Sequence, residues 1–375
     1  MKKTILLAVS ALLLIPAGLR AQSELDPYRS SLDVMLNDMG DDRKVDIYCF
    51  ADVDRDGHDD LVLASYDRKR VTVYSVAGEG AAPRQIPLTA AMVKEIQSPD
   101  VYFTSIDYLY SLPENDHLRR LNPLFVWDVD YADNRFSFAT GEDDSYLGDV
   151  TQYTNMVFKP HVGKVSYAGK ESSPKEYYDY DLVWKLDDPE FVKTGFRGYK
   201  EGEVSPVLFK DGFEDTINIL NFSRWKRGEA VRSVSQDVKD AISFYYRGEK
   251  MAGIRYVADC AANERSWYRV VFSRKGDMSH TALVCVAEGE VVSVWDNYMD
   301  LSDFGASPSD VWYGGSLQEF WDYKQVEFMA MWGSPAGLEI AVRWASMEGI
   351  HYSILREYGN KMLIVYDDYQ YIMAY

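Results

Sequence analysis

From Val45 onward the chain is written as short apolar or alternating runs separated by turn residues. That pattern fits β-strands and leaves little room for helices. The runs are Val45–Phe50, Leu61–Ser65, Val71–Val76, Leu124–Val129, Arg135–Ala139, Thr216–Leu220, Ile254–Ala258, Tyr268–Phe272, Ala282–Val286 and Val291–Trp295. Val326–Met331, Leu338–Trp344, Tyr352–Arg356 and Met362–Tyr366 continue the series. The aromatic content points the same way, since 28 Tyr, 16 Phe and 9 Trp favour pleated, half-buried surfaces. A hydrophobic fraction of 47% is ample for a core and excludes general disorder. The expected class is all-β and mostly antiparallel.

Helical signals are few. Asp26 as N-cap, Pro27 at the first helical position and Gly40 as the stop bracket Tyr28, Leu32, Met35, Leu36 and Met39 at helical spacing. A second candidate is Asp237–Tyr246, with Val238, Ala241, Ile242 and Tyr245 on one face, and Ser316 with Glu319 has the form of a capping box.

The first 21 residues combine a basic start at Lys2 and Lys3 with an apolar core from Ile5 to Ile15, which is too short to span a bilayer. They read as a cleaved signal peptide, with the cut after Ala21, so the mature protein is expected to be secreted or periplasmic, with no integral membrane span. The formal net charge is −19, and loss of Lys2, Lys3 and Arg20 makes the chain more acidic still. A polyanion of this size is repelled by phosphate backbones, so nucleic-acid binding is not expected. Cys49, Cys260 and Cys285 are too few for a disulfide framework. Cys260 and Cys285 lie in neighbouring apolar stretches and are candidates for a cross-strand pair; three buried free thiols are the alternative.

A weak internal repeat runs through the chain. Residues 60–76 share with residues 338–355 an apolar strand, a short polar turn and a second strand ending in Tyr-Ser-aliphatic. Residues 254–272 repeat the layout loosely, and residues 211–220 resemble residues 56–65. Repetition at a spacing of tens of residues indicates a propeller or another repeating β architecture.

One segment carries chemistry. In residues 50–65, Asp52, Asp54, Asp56 and Asp60 hold positions 1, 3, 5 and 9 of a loop, with Gly57 at position 6. Four carboxylates so close repel one another unless a cation sits among them. Oxygen ligands in this number suit Ca²⁺, with the backbone carbonyl of His58 contributing from position 7. An EF-hand is disfavoured, because position 12 is Leu63 where a bidentate Glu is needed, and the loop runs into Leu-Val-Leu-Ala, a strand.

The D-x-D-x-D-G-x-x-D-Leu-Val pattern over residues 45–76 resembles the FG-GAP or VCBS-type repeat, the calcium loop of integrin-like β-propeller blades. The resemblance implies one Ca²⁺ held by Asp52, Asp54, Asp56, His58 and Asp60, and a β-propeller with degenerate blades. Asp211, Gly212 and Asp215 keep part of the pattern without its first acidic pair, and residues 129–133 lack the Gly. The implied organisation is a signal peptide over 1–21, an N-terminal helical segment over 22–41 and a propeller-like domain over 42–375.

No H-x-x-x-H or H-x-H spacing and no G-x-S-x-G elbow is present, and no Cys has a protease-like context. The expected function is therefore a calcium-binding, adhesion-type module for a glycan or protein partner. The rivals are a secreted glycan-active hydrolase or lyase using acidic residues, and a non-enzymatic assembly or structural factor of the cell envelope. Aromatic clusters at Tyr177, Tyr178, Tyr180 and Trp184, at Trp312 and Tyr313, and at Tyr366, Tyr369 and Tyr371 are either stacking surfaces or core.

Overall fold

The structure, a computed structural model, describes residue 28 and residues 47–65, 68–76, 82–98, 101–105, 116–141, 144–174, 178–197, 199, 204–225, 230–273, 278–300, 326–345 and 349–371. The signal-peptide segment, the capping box at Ser316, and Tyr177, Trp312 and Tyr313 lie outside these residues, as does the expected N-terminal helix except for Tyr28. The chain divides into two compact units, Met1–Ser111 and Leu112–Tyr375. No composition shift marks that boundary in the sequence.

Unit 1 is a five-stranded antiparallel sheet in the order β4-β3-β2-β1-β5, formed by β1 (Ile47–Ala51), β2 (Asp60–Ala64), β3 (Val71–Ser75), β4 (Arg84–Gln85) and β5 (Thr104–Ser105). Cys49, Val62, Val73 and Ile96 form its small core, the last from helix α1 (Ala90–Ile96). Thr89 caps that helix by accepting the N–H of Met92 at 3.3 Å.

Unit 2 holds two sheets. The seven-stranded sheet comprises β6 (Leu124–Phe125), β7 (Asp128–Asp130), β8 (Arg135–Thr140), β9 (Tyr153–Phe158), β10 (His161–Ser172), β11 (Tyr180–Leu186) and β12 (Val207–Lys210), ordered β6-β12-β9-β10-β11-β8-β7. Strand β10 pairs with β9 through residues 161–164 and with β11 through residues 165–172. It turns from one partner to the other beside a bulge at Tyr167/Gly169, where Gly169 has φ +137°. Short helix α2 (His117–Leu121) precedes β6 in sequence, and α3 (Glu190–Gly195) lies between β11 and β12.

The ten-stranded sheet contains β13 (Asn218–Ile219), β14 (Ser223–Arg224), β15 (Met251–Cys260), β16 (Arg265–Phe272), β17 (Met278–Ala287), β18 (Glu290–Asp300), β19 (Val326–Ser334), β20 (Gly337–Ala345), β21 (Gly349–Tyr358) and β22 (Lys361–Tyr371). Its order, β13-β19-β20-β21-β22-β18-β17-β16-β15-β14, places two four-stranded meanders side by side. They join through the one parallel pairing among the described residues, Val294 with Lys361. The two meanders share one sheet.

The two outermost strands, β13 and β14, are consecutive in the chain, so a three-residue link brings the sheet's edges together and the sheet curls. Phe222 in that link lies 6.1 Å from Phe328. Arg224 on β14 meets Glu327 on β19 at 3.6 Å. Trp267, Trp295, Phe328, Met331 and Leu355 fill the concave side. The other side of β16–β18 is covered by helix α4 (Gln236–Tyr245), the second expected helix, through Ile242. All three cysteines are free and buried. Cys260 on β15 and Cys285 on β17 have β16 between them. Two strand spacings amount to about 9.5 Å, beyond the ~7 Å Cα separation a disulfide tolerates, so the cross-strand pair is ruled out.

Candidate metal centre

The acidic loop links β1 to β2, beyond their last register pair, Ala51 with Asp60. It leads into a strand, and Leu63 is a fully buried strand residue. Both observations separate it from a helix–loop–helix calcium site. Gly57 adopts φ +90° and Arg55 φ +63°, the two left-handed residues that turn the chain back on itself.

The turn is held by its own carboxylates. Asp60 Oδ2 accepts the N–H of Val53 at 2.9 Å and of Asp54 at 3.3 Å, while Asp52 Oδ2 accepts that of Gly57 at 3.1 Å. Asp54 Oδ1 accepts from Asp56 N at 3.2 Å, and Asp56 Oδ1 from His58 N at 2.9 Å. The result brings carboxylate oxygens of Asp52, Asp54 and Asp60 within 4.8 Å of one another. Asp56 and the His58 side chain, both exposed, stand outside that group.

Asp60 is the unusual member, only 1% exposed. Burial raises its pKa, the N–H groups of Val53 and Asp54 and the Ser75 side chain partly offset that, and the charge of Asp54 raises it again. A carboxylate so placed gains from a cation more than an exposed one does, because the cation replaces the water that burial removed.

Two supporting residues had no local signal in the sequence. Ser75, at the end of β3, is buried beside Asp60. Tyr28 donates from its hydroxyl to the Asp59 carbonyl at 3.2 Å, and its ring lies 6.2 Å from Phe50. Burial pushes the Tyr28 hydroxyl up to about 12, so it stays a donor.

Unit 2 contains no comparable acidic group among its described residues. Its ionisable residues form buried networks instead. Arg356 meets Asp116 through Nη1 at 2.7 Å and Nη2 at 3.0 Å, and Glu339 through Nε at 2.5 Å. His117 Nε2 lies 2.9 Å from Glu339 and Nδ1 lies 3.5 Å from Asp116. Arg356, Asp116, Glu339 and His117 are thus held by one another. Trp184, singled out as a stacking candidate, is fully buried between Tyr153 and Tyr167.

No family model, no curated protein and no solved structure matches this chain.

Proposed function

We propose that the protein is an exported, calcium-binding β-repeat protein that acts as a binding or adhesion-type module for a glycan or protein partner. In this reading Ca²⁺ sits among Asp52, Asp54 and Asp60, with Asp56 and the His58 carbonyl completing its shell. The observation that carries it is the convergence of three carboxylates around a hairpin whose innermost member, Asp60, is buried. A cation among them would relieve their repulsion, and an all-oxygen donor set of this kind selects a hard one. Strands β1 to β4 follow one another as a meander, the strand order of a single propeller-type blade. The ion then acts as a clip on the β1–β2 turn, leaving the acids ionised and occupied rather than free to transfer protons. No helix among the described residues is long and apolar enough to cross a membrane, in keeping with an exported module.

The test screens the mature protein against glycan and protein arrays, and against glycan substrate panels, with Ca²⁺ and with EDTA. Saturable binding without turnover, weakened by chelation, is expected. Turnover that survives Asp52→Ala and Asp54→Ala would overturn the reading in favour of an enzyme.

A further inference from the structure

Two cross-strand ladders in unit 2 share one design. In each, an imidazole stands between aromatic rings of the neighbouring strands, and an Asp sixteen residues further on meets one ring nitrogen. His280 on β17 stacks on Phe272 at 4.4 Å and on Tyr298 at 4.1 Å. Its Nδ1 meets Glu249 at 2.6 Å and its Nε2 meets Asp296 at 3.0 Å, so both nitrogens are occupied and the side chain is buried.

His351 on β21 stacks on Trp344 at 4.0 Å with an interplanar angle of 9°, and lies 4.7 Å from Tyr369. Its Nδ1 meets Asp367 Oδ2 at 2.8 Å. The other oxygen of Asp367 accepts from Ser353 Oγ, which in turn accepts from Trp344 Nε1 at 2.9 Å. Nothing takes the place of Glu249: among the described residues, Nε2 of His351 has no hydrogen-bond partner. The side chain is 17% exposed and that of Asp367 is 35% exposed. Three side chains therefore hold one imidazole, and among the described residues its Nε2 is the polar atom of the network left without a partner.

We propose that His351 Nε2 is the hydrogen-bond acceptor of a subsite for a neutral, hydroxyl-rich ligand, a glycan; this rests on the binding-module reading above. With Nδ1 donating to the carboxylate, a neutral imidazole presents the Nε2 lone pair to an O–H donor. Asp367, held on the other ring nitrogen, disfavours an anion. A metal ion needs further ligands, and among the described residues only the Asp52, Asp54 and Asp60 group supplies three. Trp344 and Tyr369, both partly exposed, adjoin the imidazole, aromatic neighbours of the kind that border sugar sites.

The test titrates the mature chain with cello-, malto-, xylo- and chitohexaose and follows the imidazole ¹⁵N resonances. At least one oligosaccharide should bind saturably and shift His351 Nε2 while leaving the other histidines in place. His351→Phe keeps the ring stack and removes the acceptor; it should weaken that binding roughly tenfold with the calcium-induced stabilisation unchanged. The wild-type resonance gives its answer even if that variant fails to fold. Binding that leaves His351 unshifted, or is undiminished in His351→Phe, overturns the subsite and leaves the module reading standing. If none of the four binds, the subsite falls, and calcium-induced stabilisation decides separately whether the metal-clip reading survives.

Discussion

Asp60, the first residue of β2, is hydrogen-bonded to the backbone of Val53 at the start of the loop that β2 closes, at 2.9 Å. A single buried carboxylate thus fixes the turn's geometry and belongs to the proposed cation site, and the two roles pull its protonation in opposite directions. Without a cation, burial favours the protonated acid; with one, the ion requires the carboxylate.

Asp60 therefore links unit 1 to pH. Its folded pKa is raised, so without metal its ionisation costs nothing below the ordinary carboxylate range. Stability should fall as pH rises from that range through the raised value. Calcium should abolish the fall, because its affinity grows as the proton leaves. Asp60→Asn keeps an acceptor for Val53 and Asp54 without the charge. Thermal melts at neutral pH should show the variant at or above the metal-free wild type, with no response to calcium.

Arg356 is the electrostatic centre of the ten-stranded sheet. It lies 1% exposed between Glu339 and Asp116, the N-cap of α2. Burial alone would raise Asp116, yet the bonds from Arg356 hold it below the usual carboxylate range. Its contribution is present above the unfolded carboxylate pKa and is lost as pH falls through the folded one. Arg356→Met leaves two buried carboxylates uncompensated and should cost about 3–5 kcal/mol by urea denaturation. A loss under about 1 kcal/mol would contradict this assignment.

The local parts of this structure were legible because they are written locally. The β1–β2 hairpin, the α4 helix and the strands of the last third follow from residue alternation and turn chemistry over a few positions. Strands β9 to β12 carry weaker signals; in β10 exposed Lys164, Ser166 and Lys170 alternate with inward positions, but two of those, Gly163 and Gly169, have no apolar side chain to mark the strand. A likeness that the sequence comparison does not pick out joins the β17–β18 and β21–β22 hairpins, through His280 with Asp296 and His351 with Asp367. The link between Tyr28 and Asp59, like that between Asp116 and Arg356, spans a separation that no spacing rule reaches.

His280 should make unit 2 sensitive to alkaline pH. Burial would lower its pKa, but the hydrogen bonds to Asp296 and Glu249 raise it above the usual imidazole value. Lys361 also meets Asp296, at 2.8 Å, and Tyr246 donates to Asp296 at 2.6 Å. With a raised folded pKa, the stabilisation is full below about pH 6.5 and is lost as pH rises through the folded value. His280→Gln should flatten that slope in denaturation measured from pH 6 to 9. An unchanged slope would remove His280 as its source.

The three thiols should be inert in the native state. Burial pushes Cys49 and Cys285 up to about 12, so little thiolate exists at neutral pH. Ellman's reagent should react slowly with native protein and promptly with three thiols once denatured. A native intramolecular disulfide between Cys260 and Cys285 would contradict the strand order.

The most direct test of the account is calcium binding by the mature chain, measured by calorimetry together with melting in Ca²⁺ and in EDTA. For dissociation constants of about 10⁻⁴–10⁻³ M, usual for extracellular modules, ~1 mM Ca²⁺ should add roughly 0.4–1.4 kcal/mol. Asp54→Ala should abolish both the heat and the melting shift, while His58→Ala, which keeps the backbone carbonyl, should retain them. A chain that gives no heat with Ca²⁺ and melts identically in EDTA would contradict the central claim.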